Sequence, residues 1–279
     1  MLSFAVCEGE EWRNCAVQPL ARTGLARAQR LQVWRRKLRD AAVSEQESAA
    51  GPAPLSSAQI EESLLASLSP LARLALSYAP QRTRLQTLAL FALDARLANL
   101  LRHSSEPMLA QLRLSWWRET LGQDASAWPQ GEPLLAAFRS WTGGHHGAVA
   151  LVDGWEALTA PAPLTHGALQ SMADGRARAF GAFAQEVGCA AAAGQAEAIG
   201  RAWGLTDLAV RLSKEEERAA VERLLANNGA TTRGRVPRAL RPLKVLEVLS
   251  ARRHAKGSEE AARSPGALMR AIGVGLLGR

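Results

Sequence analysis

From about residue 58 onward the chain reads as helix almost without a break, and this pattern constrains the fold more than any other feature. Apolar residues recur three and four apart, and no run of alternating β-branched residues interrupts them. The chain is therefore expected to be all-α. Ser69-Pro70 reads as an N-cap followed by proline at the first helical position, and YAPQRTR at 78–84 breaks the chain before the next element. A long helix is predicted over residues 83–102. Ser104-Ser105-Glu106-Pro107 closes it and opens another, so short a link that the two helices must run antiparallel. Further helices are expected near 133–141, 146–158, 165–188, 192–212, 214–226, 238–253 and 265–277. Gly143-Gly144, the Pro161 to Pro163 stretch, Gly188 with Gly194, Asn227-Asn228-Gly229 and Ser264-Pro265 separate them. No fixed-period repeat is visible, which argues against a solenoid.

Composition agrees, since Ala, Leu and Arg dominate and favour helix. The 279 residues can bury a large core, most simply in one helical domain over 58–279. Residues 1–57 form a mixed, charged segment ending in SEQESAAGPAPLSS; it reads as an extension and linker, weakly helical at most over 22–40. The net charge of +8 is unevenly placed: residues 233–279 hold eleven Lys/Arg against three Glu, which accounts for the whole surplus. Such a region suits an anionic membrane surface or an acidic protein partner, and it equally describes a solvated face; nucleic acid is not the expected partner. Three cysteines without a CxxC pair suit a reducing, cytoplasmic setting. No apolar run reaches the roughly 18–20 residues that span a bilayer, so membrane association is expected to be peripheral at most.

One carboxylate stands out. Asp94 lies in an apolar helical run, with Leu90 and Phe91 one turn behind and Leu97 and Ala98 one turn ahead. No Arg or Lys at helical spacing can pair with it, so its partner is tertiary, or it is the relic of an acidic metal motif. Gly143-Gly144-His145-His146 reads as a loop whose adjacent histidines diverge, while His103, His166 and His254 are isolated from any triad partners. No phosphate-binding loop motif occurs. Met108, Leu112 and Trp116, with Leu109 and Leu121, mark an apolar helix face. Trp116 and Trp117 point about 100° apart, so both are buried only if their helix is covered on two sides, inside a multi-helix bundle.

Taken together, YAPQRTRLQTLALFALDARLANLLRHSSEPMLAQLRLSWWRETL at 78–121 resembles the opening of the squalene/phytoene synthase family. ALVDGWEAL at 150–158 is similar to that family's Asp-Gly segment, and GRAWGLTDLAVR at 200–211 to its second acidic region. The RLSWWRETL block is especially like a non-synthase branch, which includes a mitochondrial complex I assembly factor. The resemblance implies an isoprenoid synthase-like bundle around a cavity, where active members hold Mg²⁺ against substrate diphosphates with two Asp-x-x-x-Asp motifs. Hard cations with oxygen ligands are what allow a diphosphate to leave.

In this sequence the motifs are incomplete. Asp94 is present, but four residues on stands Ala98; in the second motif the first acidic position falls on Arg211, followed four later by Glu215. A register shifted slightly puts Asp207 at a ligand position instead. Asp153 survives in the Asp-Gly segment, whose next acidic position falls on Leu158 and whose downstream tyrosine falls on Met172. The resemblance thus implies vestigial acidic positions at Asp94, Asp153 and Glu215, and binding residues at Arg113, Trp117, Arg118 and Arg211. The expected function is a non-catalytic assembly factor, or one that binds an isoprenoid, an isoprenoid diphosphate or a protein partner, with no resident metal or cofactor. The alternative is a Mg²⁺-dependent prenyltransferase condensing isoprenoid diphosphates.

Overall fold

The computed structural model describes residues 56–103, 107–229, 231–257 and 264–278, which belong to one compact unit. The expected extension over 1–57 lies, but for its last two residues, outside the described residues, as do the links 104–106 and 258–263. Among the described residues all regular structure is helical: α1 Ser57–Ser67, α2 Pro70–Leu76, α3 Arg84–His103, α4 Pro107–Gly122, α5 Pro133–Phe138, α6 His145–Ala157, α7 His166–Glu186, α8 Ala193–Arg211, α9 Glu215–Asn228, α10 Arg241–Lys256 and α11 Pro265–Leu277. The chain is all-α, as its periodicity requires.

Local chemistry sets the helix starts. Ser69 Oγ accepts from Ala72 N ahead of Pro70, and Ser264 Oγ accepts from Ala267 N ahead of Pro265. Ser56 and Gln59 close a reciprocal capping box at α1. In each case a side-chain oxygen satisfies an amide that the first turn leaves without a partner.

The helix α7 is the spine of the bundle, packed along α6 on one side and α8 on the other. Glycines permit this closeness. A Cβ on Gly175 would lie 2.6 Å from the Ala150 carbonyl oxygen and 2.9 Å from Gly154 Cα, and one on Gly200 would lie 2.6 Å from the Arg176 carbonyl oxygen. Around these crossings Phe138, Phe180, Phe183, Leu88 and Leu93 are fully buried. Each such side chain contributes about 1.5–3 kcal/mol through its removal from water. The tryptophan-rich composition belongs largely to this interior, where Trp117, Trp128, Trp141, Trp155 and Trp203 are all buried.

Three sequence expectations are corrected. Trp117 is buried but Trp116 is 43% exposed against its edge, so α4 is covered on one side only. The stripe of Met108, Leu112 and Trp116 faces outward. Second, His145 and His146 are not loop residues but the first two of α6; only Gly143-Gly144 forms the bend. Third, the basic stretch from 233 is a solvated face only in part: Arg233, Arg235, Arg238, Lys256 and Arg270 are exposed, but others are packed. Arg241 Nη1 donates to the Gly275 and Leu276 carbonyls, and buried Lys244 donates to Glu247 and to Thr232, fastening α10 to its neighbours. No helix of the described residues is long and apolar enough to cross a membrane.

Candidate functional site

Four helices converge on one buried charge network. Asp94 comes from α3, Arg176 from α7, Asp207 and Arg211 from α8, and Arg253 from α10. Arg176 is wholly buried and holds Asp94 with two parallel bonds, Nε to Oδ1 at 2.9 Å and Nη2 to Oδ2 at 3.0 Å. Its Nη2 also donates to Asp207 Oδ2 at 3.0 Å. The guanidinium therefore bridges the two carboxylates. Trp155 Nε1 adds a bond of 3.0 Å to Asp94 Oδ1, and the guanidinium carbon lies 4.1 Å from the Trp203 ring centre and 5.1 Å from that of Trp155. Nη1 is buried without a hydrogen-bond acceptor, so the indole faces supply the remaining stabilisation through cation–π attraction.

Asp207 is held from three directions. Arg211 Nε reaches Oδ2 at 2.7 Å, and Arg253 Nη2 reaches Oδ1 at 2.8 Å. Burial works to raise the Asp207 carboxyl, but the Arg176, Arg211 and Arg253 cations outweigh it and hold its pKa well below the usual carboxylate range. For Arg176 burial works downward and is outweighed by Asp94 and Asp207, so its pKa is raised. Both partners are charged at neutral pH. Because the folded pKa of Asp207 is depressed, its contribution to stability is present above the ordinary aspartate value of about 3.9 and is lost as pH falls toward the folded value. Asp207→Asn is therefore expected to cost roughly 3 kcal/mol at neutral pH, with the gap from wild type narrowing below about pH 4. Denaturant titrations at several pH values check this.

The network forms one wall of a pocket of about 220 Å³, lined among others by Phe91, Asp94, Arg102, Trp203, Asp207 and Arg211. Ser67, Ser69, Asn99, Ser250 and Arg253 complete its polar side, and Leu68, Leu71 and Leu246 its apolar side. Two carboxylates face three arginines in the network, and Arg102 adds a fourth cation at the rim. The pocket is net positive. It suits an anion more than a metal.

The resemblance raises Mg²⁺, and the donor set answers it. Each oxygen of Asp94 and Asp207 already accepts from an arginine, two of them from a second donor as well. Mg²⁺ demands near-octahedral oxygen ligation, and displacing buried guanidinium groups would strand their charges. Among the described residues, no three His, Cys, Asp or Glu side chains gather as a metal-holding group. These residues do not fit the ion.

The other sequence candidates lie elsewhere. Asp153 is on the surface of α6, paired with Arg118 Nε at 2.7 Å, and Arg118 also pairs with Glu156. These ion pairs are solvent-exposed and worth at most about 1 kcal/mol each. Glu215 is exposed in the first turn of α9, and Arg113 is exposed on α4. Trp117 packs in the core and does not line the pocket. Of the expected positions, Asp94 and Arg211 line the pocket, together with Asp207 of the shifted register, while Asp153 and Arg118 pair with each other away from it. Sequence reading missed Arg176 and Arg253, although Arg176 carries a legible sign: it stands on the apolar face of α7 in helical register with Leu169, Met172, Ala173 and Phe180. Comparison with protein-family models, with curated proteins and with solved structures finds no match for this chain.

Proposed function

We propose that this chain is a non-catalytic binding or assembly factor on a squalene/phytoene synthase-like scaffold, an isoprenoid synthase-like bundle whose pocket takes an isoprenoid-type ligand by its anionic head. One observation carries the reading: the two aspartates best placed to hold metal are neutralised by Arg176, Arg211 and Arg253. Arginine forks recognise phosphate oxygens directly, without a bridging cation. The apolar side of the pocket, from Leu68, Leu71, Phe91 and Leu246, suits the start of a hydrocarbon chain.

The prenyltransferase alternative requires two isoprenoid diphosphates side by side. A pocket of about 220 Å³ is smaller than the roughly 300–1,000 Å³ typical of small-molecule sites, and takes one head with a short length of tail. Calorimetric titration of the full chain with farnesyl diphosphate in the presence of a chelator tests the proposal. Saturable binding is expected without divalent metal, weakened roughly tenfold or more by Arg211→Ala. Binding that appears only when Mg²⁺ is added, or that is absent under both conditions, would overturn it.

A further inference from the structure

The pocket opens where three helices end. Its lining runs along α3 from Phe91 to Arg102, along α8 from Trp203 to Arg211 and along α10 from Leu246 to Arg253; the earlier residue of each helix is buried, while Arg102 and Arg211 reach solvent. Helices α4 and α11 also begin at this end. Only three residues separate α3 from α4, so Met108 lies within roughly 18 Å of His103. Helix α11 runs antiparallel to α10: Arg241 at the start of α10 binds the Leu276 carbonyl near the end of α11, while Arg252 near the end of α10 donates to Ser264 Oγ at the start of α11.

These first turns present large apolar side chains to solvent. Met108 is 70% exposed, Leu112 61% and Met269 68%, with Leu109 and Leu268 beside them, and Val210 next to Arg211 is exposed as well. Cations accompany them. Among the described residues Arg102, Arg113, Lys214, Arg252, Lys256 and Arg270 stand at this end against the exposed carboxylates Glu215 and Glu216.

We infer that this end of the bundle docks on an anionic lipid bilayer, with the first turns of α4 and α11 inserted beside the pocket mouth. Flexible Leu and Met side chains ringed by Arg and Lys match the two layers of such a surface, hydrocarbon beneath anionic headgroups. The apolar residues come from two separate helices, α4 packed on α6 and α3 and α11 packed on α10. A partner helix needs a continuous groove; a bilayer does not. Docked in this way, the pocket opens onto lipid.

The test is co-sedimentation of the full chain with vesicles of phosphatidylcholine alone, or of phosphatidylcholine with a minority of phosphatidylglycerol. Binding is expected on the anionic vesicles, falling as salt is raised, and weakened roughly tenfold or more by the paired substitution Leu112→Ser with Met269→Ser. Leu276→Ser with Leu277→Ser, equally exposed but at the opposite end of α11, is expected to bind like wild type. The inference is overturned by equal binding to neutral vesicles, by loss in the Leu276/Leu277 pair instead, or by no effect of the Leu112/Met269 pair. It also fails if the chain leaves the vesicles in solution and self-associates through those residues, which would make a second copy the occupant. No prenyl diphosphate is present, so failure here leaves the pocket reading standing, and failure of diphosphate binding leaves the docking surface standing.

Discussion

Arg176→Met is expected to destabilise the fold by about 3–5 kcal/mol, the usual cost of stranding a buried charge. Arg176 is fully buried and, among the described residues, is the one arginine paired with Asp94, whereas Asp207 keeps Arg211 and Arg253. Methionine replaces much of the volume but none of the donors. In a chain of this size the loss corresponds to a fall of roughly 6–10 °C in the thermal midpoint. The partner-dependence gives a sharper check. Adding Asp94→Asn removes the uncompensated carboxylate, so the double variant should recover more than half of the loss, since double-mutant cycles expose coupling between groups in contact. A double variant no more stable than Arg176→Met alone would mean that packing, not charge, makes Arg176 matter.

Gly200→Val is expected to cost on the order of 3 kcal/mol for a different reason. A Cβ at this position meets the Arg176 carbonyl oxygen at 2.6 Å and Ala177 Cα at 3.0 Å, and both are backbone atoms that cannot rotate away. The only relief is to push α7 from α8, which also separates Arg176 from Asp207. Gly194→Val in the first turn of α8 is the control, since nothing lies within 4 Å of its Cβ position, and its effect should stay below about 1 kcal/mol. Equal losses for the two variants in denaturant melts would show that helix propensity rather than the crossing governs both.

What the sequence conveyed and what it withheld divide along physical lines. Helices announce themselves through a period of 3.6 and through local caps, so α3, α7, α8 and α11 fall close to their expected bounds, and Ser69-Pro70 does what its chemistry suggests. Asp94 could be seen to need a tertiary partner because no cation stands one turn away. Which cation it takes depends on how α7 lies against α3, and pattern along one helix carries no such information. Arg176 is 82 residues distant in the chain. The same limit explains α4: its apolar stripe is plain in the sequence, but whether a stripe faces the core or solvent depends on which neighbours arrive, and here only one side is covered.

Arg211 shows the reverse case. The resemblance singles it out as a cation where an acidic residue is expected, and its side chain lines the pocket. It clamps Asp207 and joins a cluster of cations on two carboxylates. With Arg253 and Arg176 it leaves the two carboxylates outnumbered by cations, an arrangement suited to an anion.

The most direct measurement is turnover. Incubating the full chain with farnesyl or geranylgeranyl diphosphate and Mg²⁺, and assaying diphosphate release and coupled hydrocarbon product, should give nothing above a protein-free blank, because the arginine-saturated aspartates leave no oxygen cluster to carry the metal that departure of the leaving group requires. Product above the blank, abolished both by chelator and by Asp94→Ala, would contradict the account and restore the prenyltransferase reading.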